Sequence, residues 1–84
     1  HLYVVRSEHR DRLRDHLTAA GVETGLHYPV PCHRQGAFAG TPLADAHLPV
    51  ADALAREVLS LPLGPALGTD DQDAVIAALR SFCP

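Results

Sequence analysis

Between residues 25 and 35 the sequence runs Gly-Leu-His-Tyr-Pro-Val-Pro-Cys-His-Arg-Gln, gathering two imidazoles, a phenol, a guanidinium and a carboxamide around two prolines. Proline fixes φ and offers no N–H, so such a segment carries its polar side chains on a stiff turn. Positioning a ligand calls for that stiffness, because a misplacement of about 1 Å can cost on the order of a hundredfold in rate. A plainer reading makes His27 and Tyr28 half-buried side chains with satisfied hydrogen bonds. His27, Cys32 and His33 are each competent zinc ligands, yet their spacing matches no standard zinc pattern and no carboxylate lies nearby in sequence. Cys32 and His33 make a poor nucleophile–base pair, since neighbours on an extended segment point to opposite sides.

Whatever this turn does, the elements that hold it must come from 84 residues, enough for a single domain spanning 1–84. A chain of that size buries only about 60–65% of its unfolded surface, so alone it is marginally stable. The opening His1-Leu2-Tyr3-Val4-Val5 has no initiator Met and begins apolar, which reads as a cut from a longer polypeptide. The net charge is −3, and the seven basic residues are all Arg, scattered from Arg6 to Arg80. Nucleic acid requires a basic stripe, which this distribution lacks. No apolar run approaches the roughly 20 residues of a membrane span. No charged segment leads into an apolar one as in a secretory leader, so a cytoplasmic protein is expected, with Cys32 and Cys83 as free thiols.

Leu2 to Arg6 is a short apolar, β-branched run, expected as a strand buried on both faces or nearly so. Ser7 offers an N-cap, and Leu13, Leu17 and Ala20 form a narrow helical stripe with Glu8 and Arg12 paired on the wet side. Gly21 supplies a left-handed stop, followed by apolar Val22. Glu23 to Tyr28 reads as a second strand, ended by Pro29 and Pro31. Residues 29–48 are rich in Pro and Gly, and a loop that long in so small a domain has a task or a covering partner. Pro49 opens a short helix with a single apolar side, defined by Val50, Ala53, Leu54 and Glu57. Val58 to Pro62 reads as a third strand. Thr69-Asp70-Asp71-Gln72 is a capping-box signature ahead of Val75, Ile76, Leu79 and Phe82. The pattern predicts an α+β fold, a small sheet of about three strands with helices packed on one face.

The run from Gly25 to Gln35, followed by Phe38, resembles the G-I-x-x-Y-P-x-P-L-H-x-Q-x-x-F/Y signature of the DegT/StrS-type (DegT/DnrJ/EryC/StrS) sugar aminotransferases, which have the aspartate-aminotransferase fold. The likeness continues through Pro49-Val50-Ala51, Leu54-Ala55 and Val58-Leu59-Ser60-Leu61-Pro62, similar to the family's P-x-A-x-x-x-A-x-x-x-L-S-L-P segment, and into the helix after Thr69. Cys32 stands where Leu is usual, and Gly36 where Pro is common.

The resemblance implies the C-terminal small domain of a fold-type I enzyme that uses pyridoxal phosphate to move an amino group, usually from glutamate, onto a keto sugar linked to a nucleotide. It implies a homodimer in which His27, with Tyr28 beside it, approaches cofactor and sugar, while His33 and Gln35 orient the loop. Transamination also needs a lysine to hold the cofactor, and this chain has none. The resemblance therefore assigns that lysine and most cofactor contacts to a large domain of the same polypeptide, leaving these residues inactive alone. A free-standing α+β binding or dimerisation module is the competing reading, and a zinc-bound structural domain a more distant one.

Overall fold

The structure is a computed structural model that describes all residues from His1 to Pro84. Strand β1 (Tyr3–Arg6) pairs antiparallel with β2 (Val58–Leu61), in the register Tyr3 to Leu61 and Arg6 to Val58. Helices α1 (Arg10–Ala19) and α3 (Thr69–Arg80) lie on one face of this ribbon, and α2 (Pro49–Glu57) leads directly into β2. Leu13, Leu17, Val22, Leu59 and Ala78 form the core, flanked by Val5, Leu26, Leu61, Val75, Leu79 and Phe82. Leu17 and Leu59 are fully buried at its centre.

Local chemistry accounts for where the elements stop. Gly21 has φ +82°, open to glycine without a Cβ penalty. Its N–H bonds to Thr18 O at 3.0 Å and that of Val22 to Leu17 O at 2.8 Å, the paired bonds of a Schellman stop. Val22 then buries its side chain in the core. Pro49 sits in the first turn of α2, where its missing N–H costs nothing. Gly68 is the N-cap of α3; it has no side chain to reciprocate, so only half of the expected box forms, with the Asp71 carboxylate accepting the Gly68 N–H at 3.4 Å. At the other end, His16 Nε2 reaches Ala78 O and Ser81 Oγ, both at 2.9 Å, fastening α1 to the last turn of α3.

Several expectations are corrected. The sheet has two strands, not three, because the expected strand over Glu23–Tyr28 reduces to one antiparallel bridge between Gly25 and Ser60. Leu26, His27 and Tyr28 add no backbone bond to the ladder, and Pro29 and Pro31 have no N–H to give. Strand β1 is not buried on both faces: Val4, paired with Ser60 on the side away from the core, is exposed, and so is Tyr3 at the start of the strand. Helix α1 begins at Arg10; Ser7 Oγ instead caps the preceding turn by accepting the His9 N–H at 3.0 Å. Ala20 lies outside the core, and in place of a Glu8–Arg12 pair Asp11 receives both Arg10 and Arg14. On α2 it is Ala55 that is buried, while Val50 remains 68% exposed. Ile76 likewise faces outward on α3.

The chain is elongated. Its radius of gyration is 15.5 Å, against about 12 Å for a compact domain of this length. Residues 29–48, expected as irregular loop, fold into three single 3₁₀ turns at Cys32–Arg34, Gly36–Phe38 and Pro42–Asp45. They project from the α1–β2–α3 body and are tied back to α2.

Candidate functional site

The bridge between Gly25 and Ser60 is the foundation of the site. Gly25 N–H donates to Ser60 O at 3.0 Å, and Ser60 N–H to Gly25 O at 2.8 Å. In β2, Leu59 and Leu61 turn toward the core, so the alternation of the strand sends Ser60 to the opposite face. Two residues beyond Gly25, His27 lies on that same side and folds back over the glycine, where its Nδ1 meets Ser60 Oγ at 2.8 Å. A Cβ on Gly25 would stand 2.7 Å from His27 Cε1 and 3.3 Å from Nδ1, so the ring occupies space only a glycine leaves free.

The other imidazole nitrogen, Nε2, has no partner in the chain and is not sealed from solvent. His27, Gly25 and Ser60 line an open cleft of about 540 Å³, together with His1, Thr24 and Asp71. Tyr28 packs edge-on against His27 with ring centroids 5.4 Å apart, is 68% exposed, and does not line the cleft. The peptide bond between His27 and Tyr28 is cis.

His33 and Gln35 sit elsewhere. Gln35 Nε2 donates to Val30 O at 2.9 Å, clamping the Pro-Val-Pro turn. His33 is only 2% exposed, and its Nε2 lies 3.3 Å from Asp52 Oδ1 on α2 without the alignment of a hydrogen bond. Arg34 grips the same carboxylate with two bonds, Nε to Oδ1 at 2.7 Å and Nη2 to Oδ2 at 3.0 Å. These bonds hold the Asp52 carboxyl below its ordinary pKa, burial opposing and the charges of Arg34, His33 and Arg56 assisting; the same pairing raises that of Arg34. Cys32 and Cys83 are free and exposed, and no three His, Cys, Asp or Glu residues converge as a metal site.

Sequence reasoning passed over Ser60, Asp52 and Arg10. A lone serine between two leucines in an apolar strand was the available signal for Ser60. Asp52 sits 18 residues from Arg34, beyond the reach of local spacing. Arg10 is buried, its Nη1 donating to Ala55 O at 3.1 Å and Val58 O at 3.0 Å, so that a guanidinium closes the junction of α2 with β2.

A small α+β layer carries the His27 imidazole at an open cleft, and the chain has no lysine. The chain belongs to the DegT/DnrJ/EryC1/StrS aminotransferase family, whose model matches residues 1–80. It is 52% identical over 81 residues to the erythromycin biosynthesis sensory transduction protein EryC1 of Saccharopolyspora erythraea, covering 96% of this chain and 22% of that protein. To the dTDP-3-amino-3,4,6-trideoxy-alpha-D-glucose transaminase of Streptomyces venezuelae it is 49% identical, over 98% of this chain and 22% of that one. Among solved structures, S. venezuelae DesV in complex with a ketimine intermediate superposes with a TM-score of 0.86 at 50% identity, covering 94% of this chain and 21% of that chain. This chain thus spans about a fifth of the relatives it matches.

Proposed function

We propose that these residues are the C-terminal small domain of a pyridoxal-phosphate-dependent aminotransferase that transfers an amino group, supplied by glutamate, to a keto sugar carried on a nucleotide. Relatives named as transaminases of dTDP-sugars and UDP-sugars support that substrate class. The single observation that carries the reading is the His27 imidazole, pinned at Nδ1 and open at Nε2 on the cleft.

The residues present do not fit the task of holding pyridoxal phosphate. There is no Lys to form its imine, and Arg6, Arg10 and Arg34 are committed to Glu57, Asp11 and Asp52. When bound, that cofactor supplies an electron sink; its anchor belongs to a large domain of the same polypeptide. This chain's own contribution is to place His27 and Tyr28 beside cofactor and sugar, with His33 and Gln35 orienting the turn through Asp52 and Val30 O. Tyr3, Val50 and Leu63, apolar and exposed here, are consistent with cover by the remainder of the parent or by a second subunit in a homodimer. No helix is long and apolar enough to cross a membrane, which is compatible with a cytoplasmic enzyme.

The test is an assay of the full-length parent with glutamate and nucleotide-linked keto sugars. Amino transfer by the parent and none by the 84-residue segment is expected. A parent that binds the cofactor yet aminates no nucleotide keto sugar overturns the proposal.

A further inference from the structure

We infer that Ser60 is a positioning residue that fixes His27 in the tautomer carrying its proton on Nε2, so that the imidazole meets the cleft as a hydrogen-bond donor. The inference rests on the proposed function only for the identity of what occupies the cleft. The arrangement itself follows from hydrogen-bond accounting. Ser60 is 5% exposed, and its Oγ has a single partner, His27 Nδ1 at 2.8 Å. Both of its backbone groups are already spent on Gly25. A buried hydroxyl proton left without an acceptor is costly. The only acceptor in reach is Nδ1, so the hydroxyl donates there. In a neutral imidazole the proton then resides on Nε2.

Gly25 makes the pairing tight. With no side chain opposite Ser60, the ring lies flush over the bridge, and any Cβ would push against Cε1 and Nδ1. The consequence for recognition is a choice between two chemistries. A free Nε2 lone pair would abstract a proton, whereas an Nε2–H recognises an oxygen acceptor. The site therefore takes a carbonyl, hydroxyl or phosphate oxygen of the sugar nucleotide at His27, and proton abstraction falls to another group.

The measurement is nitrogen NMR of the full-length parent, labelled with ¹⁵N-histidine and recorded above the imidazole titration, with His27 signals identified by their loss in His27→Gln. The expected spectrum shows Nδ1 as the unprotonated, pyridine-type nitrogen and Nε2 as the protonated one. In Ser60→Ala the two should move toward intermediate shifts as both tautomers become populated, and Ser60→Thr, which keeps the hydroxyl, should restore the separation. A protonated Nδ1 in the unmodified protein overturns the inference, as does an unchanged pair of shifts in Ser60→Ala. Because the readout needs no turnover, it stays separable from the assay of amino transfer. A parent without transaminase activity could still show the tautomer, and an active one could lack it.

Discussion

The body of the molecule and its projecting turn satisfy their polar groups in different ways. Where α1 and α3 meet β2, apolar side chains from distant parts of the sequence close on Leu17 and Leu59, and the few polar groups drawn in, such as Arg10, are bonded to named carbonyls. From Tyr28 to Leu48 the backbone bonds instead run three residues along, as Arg34 to Pro31, Phe38 to Gln35 and Thr41 to Phe38. Among residues 28–48 only His33 is buried, and it lies against Asp52. The first region derives its order from long-range packing, the second from local turns and a single ionic tether. Segments with little buried apolar contact open at low free energy, so the second is the part able to adapt to a ligand or a covering domain. His27 stands at the seam between them, fastened to the body through Ser60.

That contrast can be broken by substitution. Leu59→Ala removes a fully buried side chain from the centre of the body and should destabilise the parent protein by about 2–5 kcal/mol in thermal or denaturant unfolding. Gly25→Ala acts at the seam. The added Cβ must expel the His27 ring, and turnover of the parent should fall about a hundredfold while its unfolding temperature moves little. An unaltered rate would mean that the ring position is immaterial. Arg10→Ala leaves two carbonyls at the α2–β2 junction without their donor, with an expected cost of about 1–3 kcal/mol, read from a lowered denaturation midpoint.

The smallest effect concerns the tether. Because the folded pKa of Asp52 lies below its unfolded value, its contribution to docking the turn is complete above the unfolded pKa of about 3.9 and is lost as pH falls through the lower folded one. Proteolytic cleavage within 32–45 should therefore accelerate below about pH 4. Asp52→Asn should cleave at the faster rate already at neutral pH. Equal protection of both proteins at neutral pH would remove Asp52 from the account.

What the sequence disclosed divides along the same seam. Gly21 followed by Val22, Pro49 at a helix start, Pro62 after a strand, and Asp71 at the head of α3 are local devices: the glycine stop and Asp71 act through bonds within a few residues, the two prolines through the N–H they lack. The Gly25–Gln35 turn was recognisable as the chemistry-bearing segment because its residue types are unusual together. Non-local facts were not accessible. Periodicity could not show that Glu23–Tyr28 pairs through one residue only, since Gly25 forms the bridge and His27 then bends back. It assigned Val50 and Leu54 to a buried face because apolar residues imply an interior, whereas this chain buries Ala55 there. Nothing local marks Arg10 as interior, yet two carbonyls from residues 55 and 58 draw it inside.

The central claim is that His27 is presented to a site which the rest of the parent protein completes. The direct measurement is steady-state amino transfer by the full-length His27→Ala protein, recorded beside its cofactor absorbance. Turnover reduced about a hundredfold with the absorbance spectrum unchanged is the predicted result. Turnover equal to that of the unmodified protein would contradict it.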